Sequence, residues 1–110
     1  MGELVKGDIV VMPFPFTDLK ATKKRPALVI TSLIGDDLIV CQITGQIRED
    51  TYVIDLKDSN ILGGKLKGTS LIITNILFTA DKSIILYKVG YLRKEKIKEI
   101  EDKLIKIIRK

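Results

Sequence analysis

The chain has 110 residues, of which 45% are hydrophobic and 30% are charged. This composition excludes a disordered segment, and the length fits one small domain spanning residues 1–110. Lysine and arginine outnumber aspartate and glutamate by 19 to 14, and the net charge of +5 favours an anionic partner such as nucleic acid. No apolar run approaches the roughly 20 residues of a membrane-spanning helix, and the first residues do not start a signal peptide. We therefore expect a cytoplasmic protein that does not bind a membrane.

Two predicted strands near the N-terminus frame a cationic segment. The first is predicted from Asp8 to Phe14 and the second from Ala27 to Ser32, because β-branched side chains are frequent in both. Between them, Lys20 to Arg25 carries four positive charges and no acid, which predicts a hairpin with a cationic tip. Proline lacks the amide hydrogen that a central strand needs, so the prolines of this region should mark strand ends or a sheet edge; they are Pro13, Pro15 and Pro26.

Further strands are predicted at Leu38 to Thr44, at Tyr52 to Leu56, at Thr69 to Thr74 with a continuation towards Phe78, and at Ile85 to Val89. The strand that begins at Thr69 is a candidate for the centre of the sheet, because its apolar residues are consecutive. Gly90 is expected to end the last strand, and Asp81 to cap a short turn before it. The glycine-rich segment from Lys57 to Lys67 predicts a turn, with at most one helical turn at Asp58 to Leu62.

An amphipathic helix is predicted from Arg93 onward, because apolar residues recur there at helical spacing: Ile97, Ile100, Leu104, Ile107 and Ile108. Two acids are each followed by a lysine four residues later, a spacing that favours ion pairs on a helix: Glu99 with Lys103 and Asp102 with Lys106. Five or six short strands and one helix predict a mainly β fold, a small and strongly curved antiparallel sheet with the helix packed on one side. Cys41 is the only cysteine and lies in an apolar run, which indicates a buried side chain without a disulfide.

Four motifs of the chain carry a resemblance to a known family. They are GDIV at residues 7–10, PFPFTD at 13–18, KRPALVI at 24–30 and LFTADKS at 77–83. In these motifs the chain resembles the MazF/PemK toxins, ribonucleases of type II toxin-antitoxin pairs, over about residues 5 to 92. The resemblance implies an SH3-like barrel of the MazF/PemK/CcdB type that forms a homodimer, a cognate antitoxin, and DNA binding by the complex with that antitoxin. It also implies sequence-selective cleavage of single-stranded RNA.

The residue types present are compatible with cleavage that needs no metal ion. The chain has no histidine, which excludes Ser-His and Cys-His nucleophile pairs, and its acids lack ligand spacing, so we expect no metal and no cofactor. In such a reaction the 2′-OH of the RNA attacks the adjacent phosphorus, and the protein orients this hydroxyl and stabilises charge on the phosphoryl oxygens. A planar guanidinium can donate two hydrogen bonds to one phosphate, and a threonine hydroxyl can contribute to the orientation.

Arg25 and Thr44 are the candidate catalytic residues. In the family that the chain resembles, an arginine before a proline and a threonine at the end of the third strand fill these roles, and these two residues match them. Because an arginine side chain stays protonated, Arg25 is favoured as an electrostatic clamp and is a candidate acid for the leaving oxygen. The sequence does not identify the group that accepts the 2′-OH proton.

Six further residues are candidates for RNA contact: Lys20, Lys23, Lys24, Gln46, Phe16 and Thr17. The lysines would hold backbone phosphates, although they also suit a solvated surface, and Gln46 also suits a polar loop. Phe14 and Phe16 could stack on bases, with core packing the favoured alternative for Phe14. Two other functions remain open at this point: a non-catalytic protein of the toxin fold that binds a protein target such as DNA gyrase, and a plain RNA-binding barrel.

Overall fold

The computed structural model describes residues 2–14, 23–46, 49–68 and 70–110. In this part of the chain, seven antiparallel strands form one sheet and are followed by a helix. The strands are β1 (Asp8–Phe14), β2 (Lys23–Ser32), β3 (Asp37–Thr44), β4 (Val53–Leu56), β5 (Ile61–Leu62), β6 (Ser70–Asp81) and β7 (Tyr87–Leu92), and the helix is α1 (Lys94–Ile108). Within the described ranges, no helix combines the length and apolar character that a membrane crossing requires.

The order of the strands shows that the sheet is strongly curled. It runs β4-β6-β3-β2-β1-β7-β5, so β4 and β5 are the two opposite edges. Yet these edge strands are consecutive in the chain, joined by Lys57 and a short 3-10 turn at Asp58–Asn60. A flat sheet would hold its edges far apart, because neighbouring strands are about 4.8 Å apart. The mainly β, strongly curved antiparallel fold predicted from the sequence is therefore confirmed.

The helix α1 packs on one face of the sheet, which we call the helix face. Ile100 and Leu104 are buried there and Ile97 is half-buried, as the helical spacing predicts, whereas Ile108 is 76% exposed and lies outside the stripe. The backbone N–H of Arg93 donates to the carbonyl of Asn60 over 2.9 Å, which ties the start of the helix to the turn between the edge strands. Strand residues of the helix-face cluster include Ile9, Leu28, Cys41, Ile43, Ile54, Leu56, Ile61, Ile72 and Leu92.

The ion pairs along α1 differ from those that the sequence spacing suggests. Glu99 pairs with Lys96 at 3.0 Å, and Asp102 pairs with Lys98 at 3.2 Å, so both acids contact lysines that precede them. These pairs are exposed on at least one side, and exposed pairs of this kind add little to stability.

A second apolar cluster covers the other face of the sheet, which we call the opposite face. It consists of Leu4, Val10, Met12, Phe14, Ala27, Val29, Leu38, Val40, Ala80 and Ile85. The ring of Phe14 is 3% exposed and meets Phe78 edge-on, with ring centroids 5.2 Å apart. Core packing of Phe14, the favoured alternative in the sequence, is therefore confirmed.

The cysteine is buried, as predicted. Cys41 is 0% exposed, and its thiol donates a hydrogen bond to the carbonyl oxygen of Ile73 over 2.9 Å. Burial raises the pKa of the Cys41 thiol to about 12 because the thiolate would lose its hydration. The side chain therefore acts as a small apolar residue rather than a reactive one.

β2 begins earlier than the sequence predicts, at Lys23. Residues 23–26 pair with β1, for example Lys23 with Phe14 and Arg25 with Met12. Lys23, Lys24 and Arg25 therefore lie on a strand, and the prediction that they belong to the hairpin tip is wrong. Strand pairing with β1 overrides the low strand propensity of the charged residues.

The prolines lie where a missing amide hydrogen costs little. Pro26 is inside β2, but the pairing of β2 with β3 stops at Ala27 with Gln42, so β2 is a local edge at Pro26. Pro13 is the last residue but one of β1. Pro15 lies outside the described residues. For the two described prolines, the prediction of a strand end or sheet edge is confirmed.

The prediction that Gly90 ends the last strand is wrong. Gly90 lies inside β7, pairs with Ile9, and is buried. A Cβ atom at this position would lie 2.5 Å from the carbonyl oxygen of Leu62. The glycine therefore permits the close approach of β5, a two-residue strand that the sequence pattern did not predict.

Two predictions around β6 are confirmed. The strand continues past Phe78 to Asp81, and it is an interior strand, since β3 pairs along most of its length and β4 pairs with residues 70–73. Asp81 then caps a short 3-10 turn at Lys82–Ile84, because its carboxylate accepts the backbone N–H of Ser83 over 2.8 Å. This hydrogen bond lowers the pKa of the Asp81 carboxyl from its ordinary value.

Candidate active site

Arg25 and Thr44 lie on neighbouring strands, each two residues beyond the last observed pair between β2 and β3. The pairing of β2 with β3 runs through Leu28 with Cys41 and ends at Ala27 with Gln42. Two residues further along each strand, the same register reaches Arg25 on β2 and Thr44 on β3. The register extended in this way would make the two residues neighbours across the strands, although the observed pairing of β2 with β3 ends at Ala27 with Gln42.

The two residues also belong to the same face of the sheet. Side chains alternate between the faces along a strand. Val29 of β2 and Val40 of β3 pack in the opposite-face cluster and are paired with each other. Arg25 is four residues before Val29, and Thr44 is four residues after Val40. Since every second residue shares a face, both belong to the opposite face, away from α1. The role of these two residues as a catalytic pair stays a prediction.

The hydroxyl of Thr44 is held in place by its own loop. Thr44 is 6% exposed, and its Oγ1 accepts the backbone N–H of Gln46 over 3.2 Å. This side-chain turn fixes the oxygen as an acceptor towards the protein. The hydroxyl hydrogen remains available for an oxygen atom of a ligand.

Arg25 has no ion-pair partner among the described residues. It is half-buried beside Met12. Lys23 and Lys24, next to it on β2, are exposed and have no described ionic partner. A cluster of cations without acids attracts an anionic ligand to this end of the sheet.

The RNA-contact candidates divide between described and undescribed residues. Lys23, Lys24 and Gln46 are exposed near the Arg25 and Thr44 positions, as an RNA contact requires. Lys23 shares the face of Arg25, whereas Lys24 belongs to the helix face by alternation along the strand. The other candidates lie outside the described residues; they are Lys20, Phe16 and Thr17.

A pocket on the helix face adjoins this site and was not foreseen from the sequence. It has a volume of about 750 Å³, and we call it the lysine pocket. Lys24, Lys65, Lys67, Lys88 and Tyr87 lie in its wall. The available signal was the pair of lysines that flank Leu66, directly after Gly63-Gly64. Because these residues come from separate segments, only the fold shows that they meet.

The described residues contain no group of three histidine, cysteine, aspartate or glutamate side chains arranged to hold a metal ion. At least one acid of the described part has a structural role instead. Asp8 is 1% exposed, accepts the backbone N–H of Val5 over 2.9 Å, and pairs with Lys88 at 3.1 Å.

The curled sheet with one packed helix places the protein among small β-barrel domains. Residues 5–108 match the family described as PemK-like, MazF-like toxin of type II toxin-antitoxin system, and the chain therefore belongs to this family. The resemblance noted in the sequence motifs is thus confirmed. A comparison with curated protein sequences gives no match.

Solved structures share the fold over nearly the whole chain. One is the Mycobacterium tuberculosis toxin MazF-mt6, with a TM-score of 0.70, 18% identity, and coverage of 88% of this chain and 91% of that chain. MazE-MazF from Deinococcus radiodurans has a TM-score of 0.75, 17% identity, and coverage of 96% and 95%. An endoribonuclease in complex with its cognate antitoxin from a Mycobacterial species has a TM-score of 0.76, 12% identity, and coverage of 96% and 95%.

Proposed function

We propose that this toxin-family protein is a metal-independent, sequence-selective endoribonuclease that cleaves single-stranded RNA. The observation that supports the proposal is the register of β2 with β3, which ends at Ala27 with Gln42 and, extended by two residues, would pair Arg25 with Thr44. Two structural neighbours described as endoribonucleases support the reaction class. The positive charge around Arg25 supports an anionic substrate.

In the proposed reaction, the 2′-oxygen of a ribose forms a bond to the adjacent phosphorus, and the bond from phosphorus to the 5′-oxygen breaks. The products are a 2′,3′-cyclic phosphate and a 5′-hydroxyl. Arg25 donates hydrogen bonds to the phosphoryl oxygens, where negative charge increases in the transition state. Thr44 donates its hydroxyl hydrogen to the same phosphate and fixes its orientation. The 2′-OH proton passes to solvent water or another base, since the guanidinium of Arg25 is already protonated, and Arg25 is the candidate acid that gives a proton to the leaving 5′-oxygen.

The partners of the protein follow from the same proposal. Two neighbours are complexes of a toxin with its antitoxin, so we expect a cognate antitoxin to bind and silence this chain. We also expect a homodimer in the cytoplasm. Lys20, Lys23, Lys24, Gln46, Phe16 and Thr17 are the residues that we expect to contact the RNA on either side of the cleaved bond.

The test is a cleavage assay on single-stranded transcripts in the presence of EDTA. Arg25→Ala should lower the cleavage rate by about 100-fold or more, as the loss of a preorganised oxyanion donor does. Arg109→Ala, which removes an exposed arginine after α1, is the matched control and should retain the wild-type rate. Mass spectrometry of the fragments should find the cyclic phosphate. A loss of less than about tenfold for Arg25→Ala contradicts its catalytic role.

The same assay separates the two other functions. RNA that the wild type binds but never cleaves would indicate a plain RNA-binding barrel. Retention of DNA gyrase in a pull-down, without cleavage of RNA, would indicate a toxin that acts on a protein target.

A further inference from the structure

The lysine pocket lies at one end of the barrel, between β2, the segment of residues 63–68 and β7. Lys24 and Pro26 of β2 line it on one side, and Tyr87 and Val89 of β7 line it on another. Lys65, Leu66 and Lys67 lie across from them in the connecting segment. No other described cavity combines residues of these segments in this way.

The described lining of the pocket carries a positive charge that is only partly compensated. No aspartate or glutamate belongs to its lining. Lys24, Lys65 and Lys67 are exposed, and none of them forms an ion pair with a described residue. Lys88 differs, because its ammonium group pairs with Asp8 at 3.1 Å and lies 5.4 Å from the centre of the Tyr91 ring. Three lysines therefore remain available for an anion.

The wall of the pocket is apolar and includes an exposed aromatic ring. Val11, Pro26, Leu66 and Val89 contribute aliphatic surface. Tyr87 is 55% exposed, so its ring is accessible to a ligand in the pocket. A flat aromatic ring stacks on a nucleobase, whereas lysines bind phosphate, so the combination matches a nucleotide better than an inorganic anion or an acidic peptide.

The pocket and the candidate active site lie at the same end of β2 and β3, on opposite faces of the sheet. Lys24 and Pro26 flank Arg25 in the chain and belong to the helix face, while Arg25 belongs to the opposite face. Gly45, which follows Thr44 directly, also lines the pocket. A strand of RNA that crosses the end of β2 and β3 would therefore leave the site of cleavage and enter the pocket.

We propose that the lysine pocket binds one nucleotide of single-stranded RNA next to the cleaved bond, with the base against Tyr87 and the phosphate held by Lys24, Lys65 and Lys67. This inference rests on the proposed function, since it assumes an RNA substrate. It assigns to Lys65, Lys67 and Tyr87 a part in substrate binding that lies outside the Arg25 and Thr44 site.

The test measures the binding of a 2′-fluoro RNA pool about 12 nucleotides long, which cannot undergo attack by a 2′-OH. Lys65→Ala with Lys67→Ala should weaken binding about tenfold and flatten the salt dependence by about 1.4 units of slope, since each contact to a single strand contributes about 0.7. Lys103→Ala with Lys106→Ala removes the same charge from α1 and is the matched control. Thermal unfolding of every variant verifies that it is folded.

Tyr87 provides a second, independent measurement. Tyr87→Ala should weaken binding by about 5- to 100-fold, whereas Tyr87→Phe should stay within about twofold, because the ring and not its hydroxyl stacks on the base. The quenching of a 2-aminopurine base in the RNA should decrease in Tyr87→Ala only. A parallel measurement uses polyglutamate, an acidic polypeptide, as a competitor of the RNA. If polyglutamate binds as tightly as the RNA, and Tyr87→Ala changes neither affinity, the proposal of a nucleotide in the pocket is wrong.

The outcomes distinguish this inference from the proposed function. In one outcome, the wild type cleaves RNA while the Lys65→Ala, Lys67→Ala variant and its Lys103→Ala, Lys106→Ala control lose the same RNA affinity. This result overturns the pocket assignment and leaves the endoribonuclease proposal standing. Binding that depends on Lys65, Lys67 and Tyr87, without cleavage of ordinary RNA, supports the pocket and overturns the endoribonuclease proposal. If the wild type cleaves RNA, the variant Lys65→Ala with Lys67→Ala should show a higher KM and a nearly unchanged kcat.

Discussion

The backbone N–H of Gln46 donates a hydrogen bond to Oγ1 of Thr44 across 3.2 Å. The bond joins residues two positions apart at the point where β3 ends, and it restricts the rotation of the threonine side chain. A hydroxyl whose oxygen already accepts from the protein is prepared to donate. The geometry therefore favours Thr44 as a hydrogen-bond donor to the phosphate rather than as the base that accepts the 2′-OH proton.

Variants of Thr44 test this assignment. Thr44→Val has nearly the same shape but no hydroxyl, and it should lower the cleavage rate by about 10- to 100-fold, the usual range for a lost hydrogen bond to a charged group. Thr44→Ser keeps the hydroxyl and should retain most of the activity. Single-turnover cleavage with saturating enzyme measures both, and Thr51→Val on the exposed loop is the control. Equal rates for Thr44→Val and Thr44→Ser would show that the hydroxyl has no role.

The buried thiol predicts a specific pH dependence of stability. The pKa of Cys41 is raised from 9.0 to about 12, so the unfolded chain loses its thiol proton at lower pH than the folded chain does. The contribution of the Cys41 thiol to the free energy of unfolding is fully present below the pKa of the unfolded chain. It decreases as the pH rises above that value. Between about pH 7 and about pH 10, wild type should lose on the order of 1 kcal/mol more of its free energy of unfolding than Cys41→Ala loses.

Urea denaturation of both proteins at the two pH values measures this difference. The comparison cancels the contributions of lysines and tyrosines, which are common to both chains. Equal losses in the two proteins would mean that Cys41 is more hydrated than its burial indicates.

The close approach of β5 to β7 predicts that Gly90→Ala destabilises the protein. The added Cβ would lie 2.5 Å from the carbonyl oxygen of Leu62 and 3.2 Å from the backbone nitrogen of Gly64, and neither backbone atom can move alone. We expect a decrease of about 2 kcal/mol or more in the free energy of unfolding. Gly2→Ala meets no atom within 4 Å and should stay within about 0.5 kcal/mol. A Gly90→Ala protein as stable as Gly2→Ala would contradict the observed pairing of β5.

The buried carboxylate of Asp8 predicts a second effect on stability. Asp8→Ala leaves the backbone N–H of Val5 without its acceptor and the ammonium group of Lys88 without its partner. The free energy of unfolding should decrease by about 1–3 kcal/mol. Asp102→Ala removes an exposed ion pair with Lys98 and should change the free energy of unfolding by less than about 0.5 kcal/mol. Guanidinium denaturation at low and high salt compares the two, and a larger loss for Asp102→Ala would refute the prediction.

Hydrophobic patterning was sufficient to locate most elements but not their pairing. β1 was predicted with its observed bounds, because its apolar residues are consecutive and end at a proline-rich segment. β5 was missed because a strand of two residues has no detectable period. Gly90 was misread, because a glycine that terminates a strand and a glycine that admits a neighbouring backbone look alike in one sequence.

The candidate site was predictable in part. The identity of Arg25 and Thr44 as a pair depended on the motifs of the family, since a strand arginine and a strand-end threonine are common. Their shared face depends on the register of β2 with β3, which distant residues determine. The lysine pocket was not predictable, because Lys24, Lys65 and Tyr87 meet only when the sheet curls.

The pairing of β1 with β7, through Asp8 with Tyr91 and Ile9 with Gly90, has a consequence for synthesis. A growing polypeptide that has not yet released residues 87–92 from the ribosome leaves one side of its first strand bare, and α1 emerges later still. The complete sheet therefore cannot form before β7 has left the ribosome, although β1 is among the first segments to emerge.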